Sequence, residues 1–289
     1  MSNYKIITDV TCDLPIEIIK KYDLEIMPMK YSVGNVDYTN YADFREQPLK
    51  EFFNEMRNGA ITHTVQLNSE VYIQTYKEYL EQGFDILGII FSSGLSGSYN
   101  SARLAAEELR EEYPDRKIEI IDTLAASTGE GLIALEAAKN KAKGLTIEQN
   151  RVAIEEFKLY VSHWFTVDNL EYLRRGGRVS NTAAFAGKLL NIKPVLHVDN
   201  DGHLIPIYKK IGRKTSIREI ARQYGETVDK TYDTVFITHA DCEEDALFLK
   251  KLIEEAYKPK EIIISHIGTV IGSHSGPGTL ALFFKALHR

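Results

Sequence analysis

The chain has 289 residues, 44% hydrophobic and 26% charged, the mix of a globular protein with material for a core. Its 35 Lys and Arg against 41 Asp and Glu give a net charge of −6, so the overall balance offers no basic face for nucleic-acid phosphates. Cys12 and Cys242 are too few for a disulfide framework, and the best apolar run, Ile86 to Phe91, falls far short of the roughly 20 residues that span a bilayer. With no apolar leader in Met1 to Lys5, the expected setting is the reducing cytoplasm, with at most transient membrane contact.

Short β-branched runs alternate with amphipathic stretches, the pattern of a parallel α/β sheet. Lys5 to Asp9 reads as a first strand, followed by Asp13 as a helix cap with Pro15 in the first turn. Glu25 to Tyr31 reads as a second strand. Asp43 to Asn58 carries Phe44, Leu49, Phe52, Phe53 and Met56 at helix spacing. A helix over Ser69 to Glu81 precedes a strand over Asp85 to Phe91. Ser98 to Tyr113 is helical, with Leu104, Ala105 and Leu109 on one side. A strand at Lys117 to Asp122 and a helix from Gly129 to Ala142 complete this half.

The second half changes character. Asp168 and Glu171 have the spacing of a capping box, and the helix they open ends at Gly176-Gly177. Ile192 to Val198 and Leu204 to Tyr208 flank an Asp201-Gly202 hairpin turn. Helices follow at about Ser216 to Asp229 and Glu243 to Tyr257, with strands at Thr234 to Thr238 and Glu261 to His266. Leu280 to Ala286 suits a strand or a helix. The expected architecture is an N-terminal parallel-sheet α/β lobe, residues 1–160, packed tightly on a C-terminal α+β lobe, residues 161–289.

Three constellations bear on chemistry. Ser92-Ser93-Gly94-Leu95-Ser96-Gly97-Ser98 joins a buried strand to a helix, where free N–H groups, the helix dipole and serine hydroxyls make an anion site; the plain alternative is a turn with a serine cap. It lacks the lysine of a nucleotide-triphosphatase loop, and Ser98 stands where a nucleophile elbow needs glycine. The second is the glycine- and hydroxyl-rich segment Ile267 to Thr279 around His274, whose imidazole suits an anion donor and an ordinary loop histidine equally. The third is the basic group Arg174, Arg175 and Arg178, with Lys209, Lys210, Arg213 and Lys214 the other cationic cluster. Each suits a phosphate, an acidic partner or a solvated face. Gly129-Glu130-Gly131 matches a dinucleotide fingerprint but stands too far from its strand, so small residues admitting a close helix are the better account. His239, Asp241 and His266 lack metal-ligand spacing, Cys242 is a weak nucleophile candidate, and neither a metal nor a cofactor is expected.

Taken in order, Thr8-Asp9 with Asp13-Leu14-Pro15, the Ser92 to Tyr99 loop, Asp168 to Leu173 with Gly176-Gly177-Arg178, Asn191 to Pro194 and Ile271 to Thr279 resemble the DegV family over essentially the whole chain. The resemblance implies a two-lobed α/β protein holding one long-chain fatty acid in a tunnel between its lobes. By motif, Thr64, Ser96 and His274 hold the carboxylate, with Ser93, Gly97, Gln66 and Ser273 supporting. It further implies a carrier subunit, not itself an enzyme, that presents the carboxylate to a separate ATP-binding fatty acid kinase subunit, with Arg174 and Arg178 facing that partner or its phosphate. The competing reading is a serine hydrolase using Ser96 and His274 on acyl esters. Two departures from the family pattern are Val10, where serine is usual, and Thr64-Val65-Gln66-Leu67, which replaces Thr-Ser-Gln-Pro.

Overall fold

Strand β1 (Tyr4–Asp9) is buried along its whole length, as a central parallel strand covered on both faces must be. It pairs in parallel with β2 (Glu25–Met27) and with β6 (Asp85–Ile90), and β6 pairs with β7 (Ile118–Asp122), giving the order β2-β1-β6-β7. Alternation of side chains feeds two separate cores. Ile7, Ile86 and Ile90 meet Tyr72, Tyr76 and Leu80 of α3 (Ser69–Glu81) and Ala102, Ala105 and Leu109 of α4 (Ser98–Glu112). Ile6, Leu87 and Ile89 face Leu132 and Ile133 of α5 (Thr128–Ala142).

The structure is a computed structural model that describes residues 3–179 and 191–289. Its second sheet runs β10-β9-β8-β13-β11-β12, from β8 (Val161–Thr166), β9 (Ile192–Val198), β10 (Leu204–Ile211), β11 (Thr234–His239), β12 (Glu261–His266) and β13 (Leu280–Lys285). Only β11 and β12 are parallel. One face packs on α8 (Arg213–Thr227) and α9 (Glu243–Tyr257) through Ile217, Ile220, Leu249 and Ile253. The other face sends Phe165, Leu196, Val198, Ala281 and Phe283 into the same core as Leu132 and Ile133. Helix α5 therefore touches both sheets, and its glycines serve that approach. A side chain on Gly131 would lie 2.6 Å from the Cys12 carbonyl, and one on Gly129 would strike His163. This close packing, and no dinucleotide turn, accounts for the fingerprint.

Several elements differ from the sequence reading for local reasons. Pro28 divides the expected second strand: β2 stays in the first sheet, while β3 (Met29–Val33) joins β4 (Val36–Asn40) and β5 (Thr62–Thr64) in a three-stranded antiparallel sheet. Helix α2 begins only at Leu49, because Pro48 at ψ 134° is its non-helical cap, and Phe44, expected inside the helix, lies before it at φ +53°. Leu104 is 45% exposed, and Ala102, Ala105, Ala106 and Leu109 form the buried stripe of α4. Helix α6 (Ile147–Phe157), unread in the sequence, carries a true capping box from Thr146 and Gln149. The one expected at Asp168 does not form, since Asp168 pairs with Lys193 and α7 (Glu171–Arg175) starts after Leu170. The hairpin turn at Gly202 (φ +78°) and the helix end at Gly176 stand as read, and Leu280 to Lys285 is a strand.

Asp13 does not cap α1 (Ile16–Tyr22). At φ +49° its buried carboxyl group instead bonds to Ser127 Oγ (2.6 Å) and accepts from the Gly268 N–H (2.9 Å), and its backbone carbonyl accepts from Ser265 Oγ (2.6 Å). One side chain thus ties residues of the first sheet's loops to the end of β12. Among the described residues no helix is long and apolar enough to cross a membrane.

Candidate functional site

Thr64 ends β5, Ser96 lies in the loop between β6 and α4, and His274 sits in α10 (Thr269–Ser275), a short helix where the sequence read a loop. Helix α10 packs against α2, α7, β3 and β5, which carries His274 back to Thr64. Thr64 Oγ1 and His274 Nε2 are 2.8 Å apart, and the two tautomers reverse the direction of that bond. Ser96 Oγ lies 3.0 Å from Ser98 Oγ and accepts from the Ser98 N–H at 3.2 Å. All three predicted residues line one cavity, of about 230 Å³, at the carboxyl ends of β1 and β6, where open parallel sheets take their ligands. The hydrogen bonds run Thr64–His274 and Ser96–Ser98, so Ser96 and His274 do not form the nucleophile–base pair a serine hydrolase needs.

The serine-rich loop is not an anion nest. Its N–H groups from Ser92 to Ser98 are all engaged, by the Ala125 carbonyl, Asp122, Ser92 Oγ, the Ser92 carbonyl twice, Gln66 Oε1 and Ser96 Oγ in turn. Hydroxyls, rather than backbone N–H groups, remain for a ligand. Gln66 braces this loop by accepting from the Gly97 N–H at 3.2 Å, and a side chain on Gly97 would press its amide at 2.9 Å.

The remaining candidates separate. Gln66 and Arg178 line the cavity; Ser93, Gly97, Ser273 and Arg174 do not. Ser93 is exposed and donates its N–H to Asp122, Ser273 is buried with its hydroxyl bonded to the Thr269 carbonyl of its own helix, and Arg174 pairs with Glu171. Arg178 Nε donates to the Leu95 carbonyl at 3.3 Å, so one guanidinium is fixed beside the serine loop. Lys210 is paired with Glu219 and Arg213 with Asp245, both structural. Asp241 pairs with Arg57 and His239 Nδ1 accepts from the Cys242 N–H, which leaves no converging set around His266. Burial pushes the Cys242 thiol up to about 12, against a nucleophilic role.

Burial, followed by the Arg178 and Arg175 charges and His63, pulls the His274 imidazole down to about 4. It is neutral near pH 7. Deeper in, the carboxyls of Asp9 and Glu130 are buried and held above their ordinary range, first by desolvation and then, for Glu130, by the Asp9 charge. Both are tied to hydroxyls: Thr8 donates to Glu130 at 2.7 Å, and the Thr11 hydroxyl lies between Glu130, at 2.9 Å, and Asp9, able to donate to only one of them at a time.

The rest of the wall was not read from the sequence as a site. Its apolar part comes from residues such as Met29, Phe91, Phe165, Leu204, Val270 and Phe283, drawn from strands and helices of the core itself. Asp9, Thr11, Ser127, His163, Ser275 and Thr279 add polar groups. Asp9 belongs to the Thr8-Asp9 motif, which was the available signal. Of the departures from the family pattern, Val10 and Leu67 fall in one apolar cluster with Met29 and Val270, both at the cavity wall, while Val65 is exposed.

Fold and site together define an α/β protein with an interior cavity, part apolar and part polar, that the partly exposed Thr64, Ser96 and His274 line together. The profile of the DegV family of uncharacterised proteins matches residues 3–287, and the chain belongs to that family. A DegV domain-containing protein of Clostridium perfringens is 43% identical over 285 residues, covering 98% of each chain. A fatty acid-binding protein of Thermotoga maritima is 35% identical, covering 99% of this chain and 98% of its own. A DegV family protein of Ruminococcus gnavus, solved with vaccenic acid, superimposes with a TM-score of 0.87 at 25% identity, covering 97% of this chain and 99% of that one.

Proposed function

We propose that this protein holds one long-chain fatty acid in the cavity, with the carboxylate at Thr64, Ser96 and His274 and the tail running inward. The observation that carries this is the cavity itself, whose core-derived apolar wall is shared with the two hydroxyls of Thr64 and Ser96 and the neutral imidazole of His274. At about 0.8 kcal/mol per buried methylene, a dozen methylenes contribute about 10 kcal/mol. Hydrogen bonds to a charged group add about 1.5–3 kcal/mol each and offset its desolvation. The tail sets affinity and the head group sets orientation. The binding of fatty acids named for the relatives supports the same reading.

The head end is partly exposed, at Thr64, Ser96 and His274 alike, which suits a carboxylate that must be reached from outside. The protein acts as a carrier without an ATP site or cofactor of its own. It offers the carboxylate to a separate ATP-binding kinase subunit: a carboxylate oxygen attacks the γ-phosphorus, ADP leaves, and the acyl phosphate stays on the carrier. Hydroxyls and a neutral imidazole orient the nucleophile without pairing it fully, and Arg178 beside the serine loop faces the incoming phosphate or the partner. The working unit is two lobes, 1–160 and 161–289, which fits the strands of the parallel sheet all preceding residue 160 and those of the six-stranded sheet all following it. Its place is the cytoplasm, where free Cys12 and Cys242 stay reduced.

Solvent extraction of the purified protein followed by mass spectrometry tests the binding. About one equivalent of a long-chain fatty acid is expected. An empty protein that also fails to take up added octadecanoic acid contradicts it.

A further inference from the structure

The cavity wall carries more polarity than a hydrocarbon tail needs, and part of it is unpaired. His163, Asp9 and Ser275 all line the cavity and are 1%, 1% and 6% exposed. Asp9 Oδ2, Ser275 Oγ and both ring nitrogens of His163 have no partner in good hydrogen-bond geometry among the described residues, the Val161 backbone being the one polar group that acts on the His163 ring. Buried polar atoms are almost always paired, so three such side chains around one cavity need an account. Their neighbours sharpen the contrast. Thr11 is bonded to Asp9 and Glu130, Ser127 to Asp13, and Thr279 to the Ser275 carbonyl, all within the protein.

We infer that the cavity is built for a fatty acid bearing a hydroxyl partway along its tail, with His163 as the group that recognises it. His163 is held in place on three sides. Its ring sits against the backbone of Gly129, where a Cβ would lie 2.2 Å from Nε2. It meets Phe283 edge-on at 5.3 Å, and its carbonyl pairs with His197 Nδ1 at 2.8 Å. Desolvation keeps the imidazole neutral against a pull from the neighbouring Val161 backbone, so it carries one N–H donor and one lone pair, the complement of a hydroxyl's acceptor and donor. A carbonyl on the tail would use only the donor. The head triad is partly exposed while His163 and Asp9 are not, which places this second polar station on the tail rather than at the carboxylate. The inference rests on the fatty-acid reading and narrows its ligand class.

Competition for a fluorescent fatty acid, comparing octadecanoic acid with a positional series of monohydroxyoctadecanoic acids, tests it on the unmodified protein. In an apolar tunnel every hydroxyl carries a desolvation penalty and every isomer binds more weakly than the parent. With the station present, at least one isomer binds about 10-fold more tightly than octadecanoic acid, the scale of one good buried hydrogen bond. In His163→Phe that advantage disappears. Uniformly weaker or equal binding of the isomers overturns the inference while leaving fatty-acid binding intact. An advantage that survives His163→Phe overturns the assignment to His163. Failure of octadecanoic acid and all isomers to bind removes the fatty-acid reading itself.

Discussion

Replacing Gly176 by alanine perturbs the head site without touching a polar group. Gly176 has φ −71° and ψ −12°, so alanine meets no backbone strain there. Its Cβ, however, would lie 2.5 Å from His274 Nδ1, with the next neighbours no closer than 3.4 Å. Reaching ordinary contact requires the imidazole to move by about 1 Å, and a ring so displaced cannot keep its 2.8 Å bond to Thr64 Oγ1. Losing one such bond costs about 1 kcal/mol, or about 5-fold in fatty-acid affinity. Delivery of the carboxylate suffers more, because a 1 Å misplacement of a reacting group costs on the order of 100-fold in rate. Displacement of a fluorescent fatty acid measures the first, and acyl-phosphate formation with the proposed kinase partner measures the second. Wild-type values in both assays would refute the argument that Gly176 seats His274 for the carboxylate.

Ser96→Ala is expected to weaken fatty-acid binding by about 1–3 kcal/mol while the buried tail keeps residual affinity; isothermal titration reads the difference. Arg178→Glu should lower turnover with the kinase subunit more than it lowers binding of the lipid, and unchanged turnover would remove the docking role given to Arg178. Burial raises the Asp13 carboxyl to about 8 against the pull of Ser127 and Gly268, so the folded state favours its protonated form. That contribution is complete below the unfolded value of 3.8 and is lost as pH rises through about 8, at up to about 1.4 kcal/mol per pH unit. Thermal melting of the unmodified protein should therefore fall from pH 5 to pH 8, and Asp13→Asn should flatten the slope. His274, near 4, stays neutral over the same window and adds no pH dependence to binding between about pH 6 and pH 8.

Several elements were legible in the sequence to the residue: Ser69–Glu81, which follows an Asn68 cap, Glu243–Tyr257 and Glu261–His266. Where one residue redirects the chain, periodicity misleads: Pro28 sends a single apolar run into two sheets, and α10 hides its helix among glycines that also belong to the turn at Gly276 (φ +81°). Thr64, Ser96 and His274 could be carried over by motif, and the fold brings them to one cavity. His163 gave no such signal. Strand β8 is buried at all six positions, so no alternation marks one face as lining a cavity. The apolar wall is unreadable for a related reason, since a tunnel phenylalanine such as Phe283 looks in sequence like any core phenylalanine.

A crystal structure of the protein with octadecanoic acid tests the central claim most directly. The account predicts one chain inside the cavity, its carboxylate within about 3.2 Å of Thr64 Oγ1, Ser96 Oγ or His274 and its tail directed toward Phe165 and Phe283. A carboxylate bound away from those three residues, or a chain lying outside the cavity, would contradict it.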